Sequence, residues 1–63
     1  MRFTVIGVYP DGSLYTAPLT AENVREAVTF LDVELEVEEE RSGLDVVALV
    51  EGDVVVYAVE DYR

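Results

Sequence analysis

The stretch Asp32-Val33-Glu34-Leu35-Glu36-Val37-Glu38-Glu39-Glu40 decides how the chain is built, because two periodicities compete in it. As a strand it alternates without fault. Val33, Leu35 and Val37 then point one way, and Asp32, Glu34, Glu36 and Glu38 the other. As a helix it continues the apolar positions Val24, Ala27, Val28, Leu31 and Leu35, which recur at helical spacing. Arg41-Ser42-Gly43 then supplies a stop signal, with a cation in the last turn and a glycine just past the end. The strand reading leaves one residue to connect helix to strand, where such connections take about two to six. The helix reading places Glu38, Glu39 and Glu40 at the negative end of the dipole. Connection length favours a helix running to about Glu40, with a strand over 33–38 as the alternative.

Upstream, Phe3 to Tyr9 is β-branched and aromatic and reads as a strand. Pro10-Asp11-Gly12 reads as a three-residue hairpin loop with Gly12 left-handed. Ser13 to Ala17 returns as the second strand, placing Tyr15 opposite Gly7, and Pro18 is expected to end it. Thr20 is the expected N-cap, with Glu22 in the first turn and Leu19 and Val24 as a hydrophobic staple. Downstream, Leu44 to Glu51 and Val54 to Glu60 read as strands joined by a two-residue turn at Gly52-Asp53. One face of that pair would carry Val47, Leu49, Val56 and Ala58. The other would carry Val46, Ala48, Val50, Val55, Tyr57 and Val59. The expected fold is a single α+β domain over 1–63, two layers deep. It has an antiparallel sheet and one helix in the order ββαββ, or ββαβββ if 33–38 is a strand.

Both faces of the C-terminal pair are apolar, whereas a sheet with one wet face alternates with polar residues. A chain of 63 residues buries only about 60% of the surface its unfolded form exposes. It has no cysteine or histidine, so disulfides and thiolate or imidazole zinc sites are excluded. Oligomerisation is the remaining remedy, and a homodimer is expected. Its interface residues are expected to be Val46, Val50, Val55, Tyr57 and Val59, with Phe30, Val33 and Val37. The last three form a second helical stripe almost opposite the first, rimmed by Glu22, Glu26 and Glu40.

The opening Thr4-Val5-Ile6-Gly7-Val8-Tyr9, the helix, and Val46-Val47-Ala48-Leu49-Val50-Glu51-Gly52 are similar to a layout of small uncharacterised bacterial and phage proteins. The resemblance covers about half the chain and implies the ββαββ fold. It brings no activity with it, and the acidic stretch departs from the pattern.

The formal net charge is −10, from 14 acids against four arginines, with no lysine. Phosphate recognition needs clustered cations, and these four are scattered, so direct nucleic-acid binding is disfavoured. Anionic membranes are disfavoured for the same reason. A basic protein surface is the electrostatically favoured partner. Met1-Arg2-Phe3-Thr4 has no signal-peptide pattern, and no apolar run approaches the roughly 20 residues of a membrane span. Cytoplasm is the expected compartment.

Without His, Cys or Lys, few groups can act as a proton shuttle or nucleophile, and a chain this short has little material to wall a cleft. No enzyme activity, catalytic residue, metal site or cofactor is expected. Asp11-Gly12-Ser13 and Glu51-Gly52-Asp53 read as turns, being too short for a calcium loop. Two functional readings remain. In the first, the acidic residues Asp32, Glu34, Glu36, Glu38, Glu39 and Glu40 imitate nucleic acid and bind a basic partner. The strand form would space Asp32, Glu34, Glu36 and Glu38 about 6.6–6.8 Å apart. That loosely matches two nucleotide steps of about 3.4 Å. The helix form would gather Asp32, Glu36, Glu39 and Glu40 on one flank. In the second reading the chain is an assembly module whose acids only keep it soluble.

Overall fold

The computed structural model describes residues 1–63. β1 (Arg2–Val8) and β2 (Leu14–Thr20) form an antiparallel hairpin. The loop between them closes as its residues dictate. Tyr9 donates its N–H to the Ser13 carbonyl at 2.9 Å, and Gly12 donates to the Tyr9 carbonyl at 2.9 Å. Gly12 takes a φ of 90°. Asp11 completes the turn by accepting from the Ser13 N–H at 2.9 Å and the Ser13 hydroxyl at 2.6 Å.

β2 runs through Pro18 rather than ending before it. The reason lies in the hydrogen-bond alternation. Met1 and Tyr9 bond to Ala21 and Ser13 at the two ends of the hairpin. Position 18 therefore turns its backbone nitrogen away from β1. β2 is an edge of the β2-β1-β3 sheet, so proline gives up no ladder bond there. Gly7 faces Tyr15 across the strands, but Leu44 occupies the space above the glycine. A Cβ at Gly7 would meet Leu44 Cδ1 at 2.9 Å.

The helix starts at Asn23, three residues later than Thr20, which closes β2. Asn23 Oδ1 accepts the Glu26 N–H at 2.8 Å, and the Glu26 carboxylate reaches back to the Glu22 N–H at 3.4 Å. This is the reciprocal logic of a capping box. The Asn-x-x-Glu spacing was the better signal, because Thr20 is committed to the sheet. The expected staple is not formed: Leu19 is buried in the core while Val24 is exposed.

Residues 32–40 are helical, so the strand over 33–38 is not formed. α1 (Val24–Glu34) and α2 (Glu36–Ser42) meet at a break at Leu35. Leu35 still donates to the Leu31 carbonyl at 3.0 Å, and Glu39 to the Leu35 carbonyl at 2.8 Å. These two bonds close α1 and open α2 on Leu35, and no backbone hydrogen bond joins residues 36–38 to residues 32–34 across the break. Gly43 ends α2 with a φ of 74°, donating to the Glu39 carbonyl. That left-handed position is open to glycine at little cost.

β3 (Asp45–Glu51) pairs antiparallel with the other side of β1. A bulge interrupts the register between Ile6 and Gly7, so that Val46 rather than Val47 faces Gly7. The extra residue reverses the expected facing. Val46 packs with Leu49 against the core, and Val47 is exposed. The second strand expected over Val54 to Glu60 is not formed. Residues 53–58 pair with no strand, and a short 3-10 turn covers Val59–Tyr62.

Thr4 explains the departure. Its hydroxyl donates to the Gly52 carbonyl at 2.8 Å and accepts the Val54 N–H at 3.2 Å. Arg2 adds an exposed ion pair to Asp53 at 3.2 Å. These bonds take the chain across the sheet face opposite the helix, instead of back along β3. The fold is thus α+β, with a three-stranded antiparallel sheet and helices over one face. The core is small, formed by Phe3, Val5, Leu19, Ala21 and Ala27, with Leu31, Leu35, Val46 and Leu49 packed against it.

Candidate functional site

The outward side of the α1–α2 helix carries the densest functional chemistry. Ala27, Leu31 and Leu35 turn toward the sheet, while α2 buries no residue of its own. On α2, Glu39 and Glu40 stand three and four residues after Glu36 and share its flank, while Asp32 lies on α1 before the break. Glu34 and Glu38 fall on the other flank, and Glu38 is half-buried. The six acids of the opening stretch therefore do not form one surface. The strand spacing of Asp32, Glu34, Glu36 and Glu38 does not exist, because all four residues are helical.

Between the flanks lies an apolar ridge. Phe30, Val33 and Val37 are 47%, 66% and 61% exposed. Glu26 stands at the N-terminal end of this ridge, with Glu40 and Arg41 at the C-terminal end. The expected second stripe is thus present and uncovered. Val24 and Val28, expected on the core stripe, are exposed instead.

The remaining expected interface residues are dispersed. Val46 is spent on the core. Val50 is half-buried on the face that the C-terminal segment crosses. Val55, Tyr57 and Val59 are exposed on that segment, where Tyr57 meets Tyr62 edge-to-face with centroids 5.5 Å apart. They do not share a surface with Phe30, Val33 and Val37, because the segment leaves the sheet on the side away from the helix.

Electrostatically, the helix is left unneutralised. Arg2 pairs with Asp53 and Arg63 with Glu60 at 3.4 Å. Arg25 and Arg41 form no ion pair, so no carboxylate from Glu22 to Glu40 has one. Asp11 is held below its ordinary value by the Ser13 hydroxyl hydrogen bond first and the Ser13 N–H second.

The largest concavity is an open groove of about 530 Å³ between the Asp11–Leu14 turn and the C-terminal segment, and Asp11, Glu60 and Asp61 contribute carboxylates to it. No helix is long and apolar enough to cross a membrane. Comparison with protein-family models, with curated proteins and with solved structures finds no match.

Thr4 is the residue that sequence reasoning missed. Nothing in a β-strand threonine marks it as the group that will bind a chain segment 48 residues away.

Proposed function

We propose that this chain is a non-enzymatic acidic interaction protein that offers the flank Asp32, Glu36, Glu39 and Glu40 to a basic protein surface. The observation that carries this reading is the absence of any ion pair on a helix so rich in carboxylates. Unpaired helical carboxylates are available to a partner's arginines and lysines, and the long-range field steers such a partner in. A nucleic-acid-binding surface is the partner of this kind with the strongest complementary charge, which makes inhibition by imitation the specific form of the proposal. The test is titration of a basic nucleic-acid-binding domain with the chain, at low and high salt. Binding should weaken steeply with salt and be lost in the D32N/E36Q/E39Q/E40Q variant. Binding that ignores both changes counts against the reading.

A second reading, an assembly module, is favoured by the uncovered ridge of Phe30, Val33 and Val37. Exposed apolar side chains on neighbouring helices, rimmed by charge, have the anatomy of an interface.

A further inference from the structure

We infer that the outer edge of β3 is a docking site for an extended segment of a partner protein, bracketed by cations, which adds to the sheet as a further strand antiparallel to β3. The inference shares the partner's positive charge with the acidic-flank reading, but places the contact on a different surface.

The sheet has two edges, β2 and β3, and they are finished differently. On β2, Pro18 turns away from β1 and has no N–H to offer an incoming strand. The C-terminal segment also runs on that side. Asp53 and Val54 share a cleft with Ala17 and Pro18, and Val56 lines the groove with Leu14. β3 has neither protection. Gly52 donates its N–H to the Arg2 carbonyl at 2.7 Å, which sets the alternation along the pair. Ala48 and Val50 turn their backbone groups to β1, and Leu49 and Glu51 turn theirs outward. No strand pairs with those outward groups. β3 contains no proline and no lysine, the residues that commonly blunt an edge. Its bulge lies toward the Asp45 end, so Ala48 to Glu51 keeps a regular register with β1.

Charge decides the occupant. Asp45 and Glu51 stand at the two ends of β3, both exposed and neither in an ion pair. A second copy of β3 paired about Ala48 would set Asp45 opposite Glu51 at both ends, and like charges facing across strands disfavour it. The same two acids favour a strand with lysine or arginine at each end. Between its cations that strand meets Val47, which is exposed, and Leu49, which is half-buried, so β-branched residues suit its centre. Main-chain bonds to Leu49 and Glu51 supply the attachment, and the acids select the charge of what attaches.

The test is a titration of the full chain with the end-capped peptide Lys-Thr-Val-Thr-Val-Thr-Lys, followed by NMR and amide hydrogen exchange. Its lysines stand as far apart in sequence as Asp45 and Glu51. The expected result is saturable binding that newly protects the Leu49 and Glu51 amides. Glutamate in place of both lysines should weaken binding by about tenfold or more, and the double variant D45K/E51K should reverse that preference. Methylating the peptide nitrogens that face β3 keeps charge and side chains and should abolish binding, because the main-chain bonds are lost. The D32N/E36Q/E39Q/E40Q variant should bind the peptide as the unaltered chain does. Equal binding of the lysine and glutamate peptides, indifference to methylation, or no binding at the solubility limit of the peptide overturns the edge site. Shift changes confined to the helices and lost in D32N/E36Q/E39Q/E40Q overturn it too, while supporting the acidic flank.

Discussion

Two glycine turns in this chain begin alike and end differently. Gly12 and Gly52 both adopt a left-handed φ, at 90° and 97°, and both stand next to an aspartate just past the end of a strand rich in β-branched residues. The first turn makes a hairpin and the second does not. After Gly12, the returning strand finds the free edge of β1, and Asp11 fixes the loop through Ser13. After Gly52, the chain meets the Thr4 hydroxyl, which satisfies the Gly52 carbonyl and the Val54 N–H together. A turn residue permits a reversal. The nearest unsatisfied backbone partners decide where the chain goes afterwards.

This contrast can be broken most severely at Phe3, which is 1% exposed and packs with Ala27 of the helix near the open end of the first hairpin. Phe3→Ala should cost about 3–5 kcal/mol, enough to unfold a small domain. Tyr57→Ala, on the exposed C-terminal segment, should stay within about 0.5 kcal/mol. Urea denaturation of both variants checks the pair, and similar losses would mean that the segment belongs to the core.

A moderate effect is expected at the second turn. Thr4→Val keeps the shape but strands the Gly52 carbonyl and Val54 N–H, for about 1–2 kcal/mol. Thr4→Ser, which keeps the hydroxyl, should recover most of it. Hydrogen exchange should show the Val54 amide losing protection in the valine variant only.

The smallest effect is at the first turn. Asp11 has a lowered folded pKa, set by its bonds to Ser13. Its contribution to stability is therefore present above the ordinary value of 3.8 and is lost as pH falls through the folded value. An NMR titration should place its midpoint below 3.8, moving back up in Ser13→Ala. An unmoved midpoint would remove the hydroxyl as the cause.

Much of the architecture was legible because its causes are local. Pro10-Asp11-Gly12 carries its own turn chemistry, and Gly43 marks the helix end through its left-handed φ. The choice of helix over strand for 33–38 followed from a connection too short to hold a bend. The apolar ridge was legible for the same reason: Phe30, Val33 and Val37 recur at helical spacing once the helix is granted. The β3 facing and the C-terminal course were not legible. One bulge residue moved Val46 to the core side, and alternation cannot foresee a bulge because it counts every residue equally. The helical grouping of Asp32, Glu36, Glu39 and Glu40 follows from spacing alone, whereas the break at Leu35 that parts Asp32 from the other three, and the exposure of Val24 and Val28, do not.

The sequence by itself determined the charge, the absence of cysteine and histidine chemistry, the first hairpin and the helical character of the acidic stretch. Each depends on residue identity or on neighbours within a few positions. Tertiary structure alone decided that Pro18 stays in β2, that Val46 faces inward, and that Val54 to Glu60 leaves the sheet. Those outcomes depend on which backbone groups remain unpaired when distant segments meet. A single hydroxyl on β1, 48 residues from the Gly52 carbonyl it binds, settles the last of them.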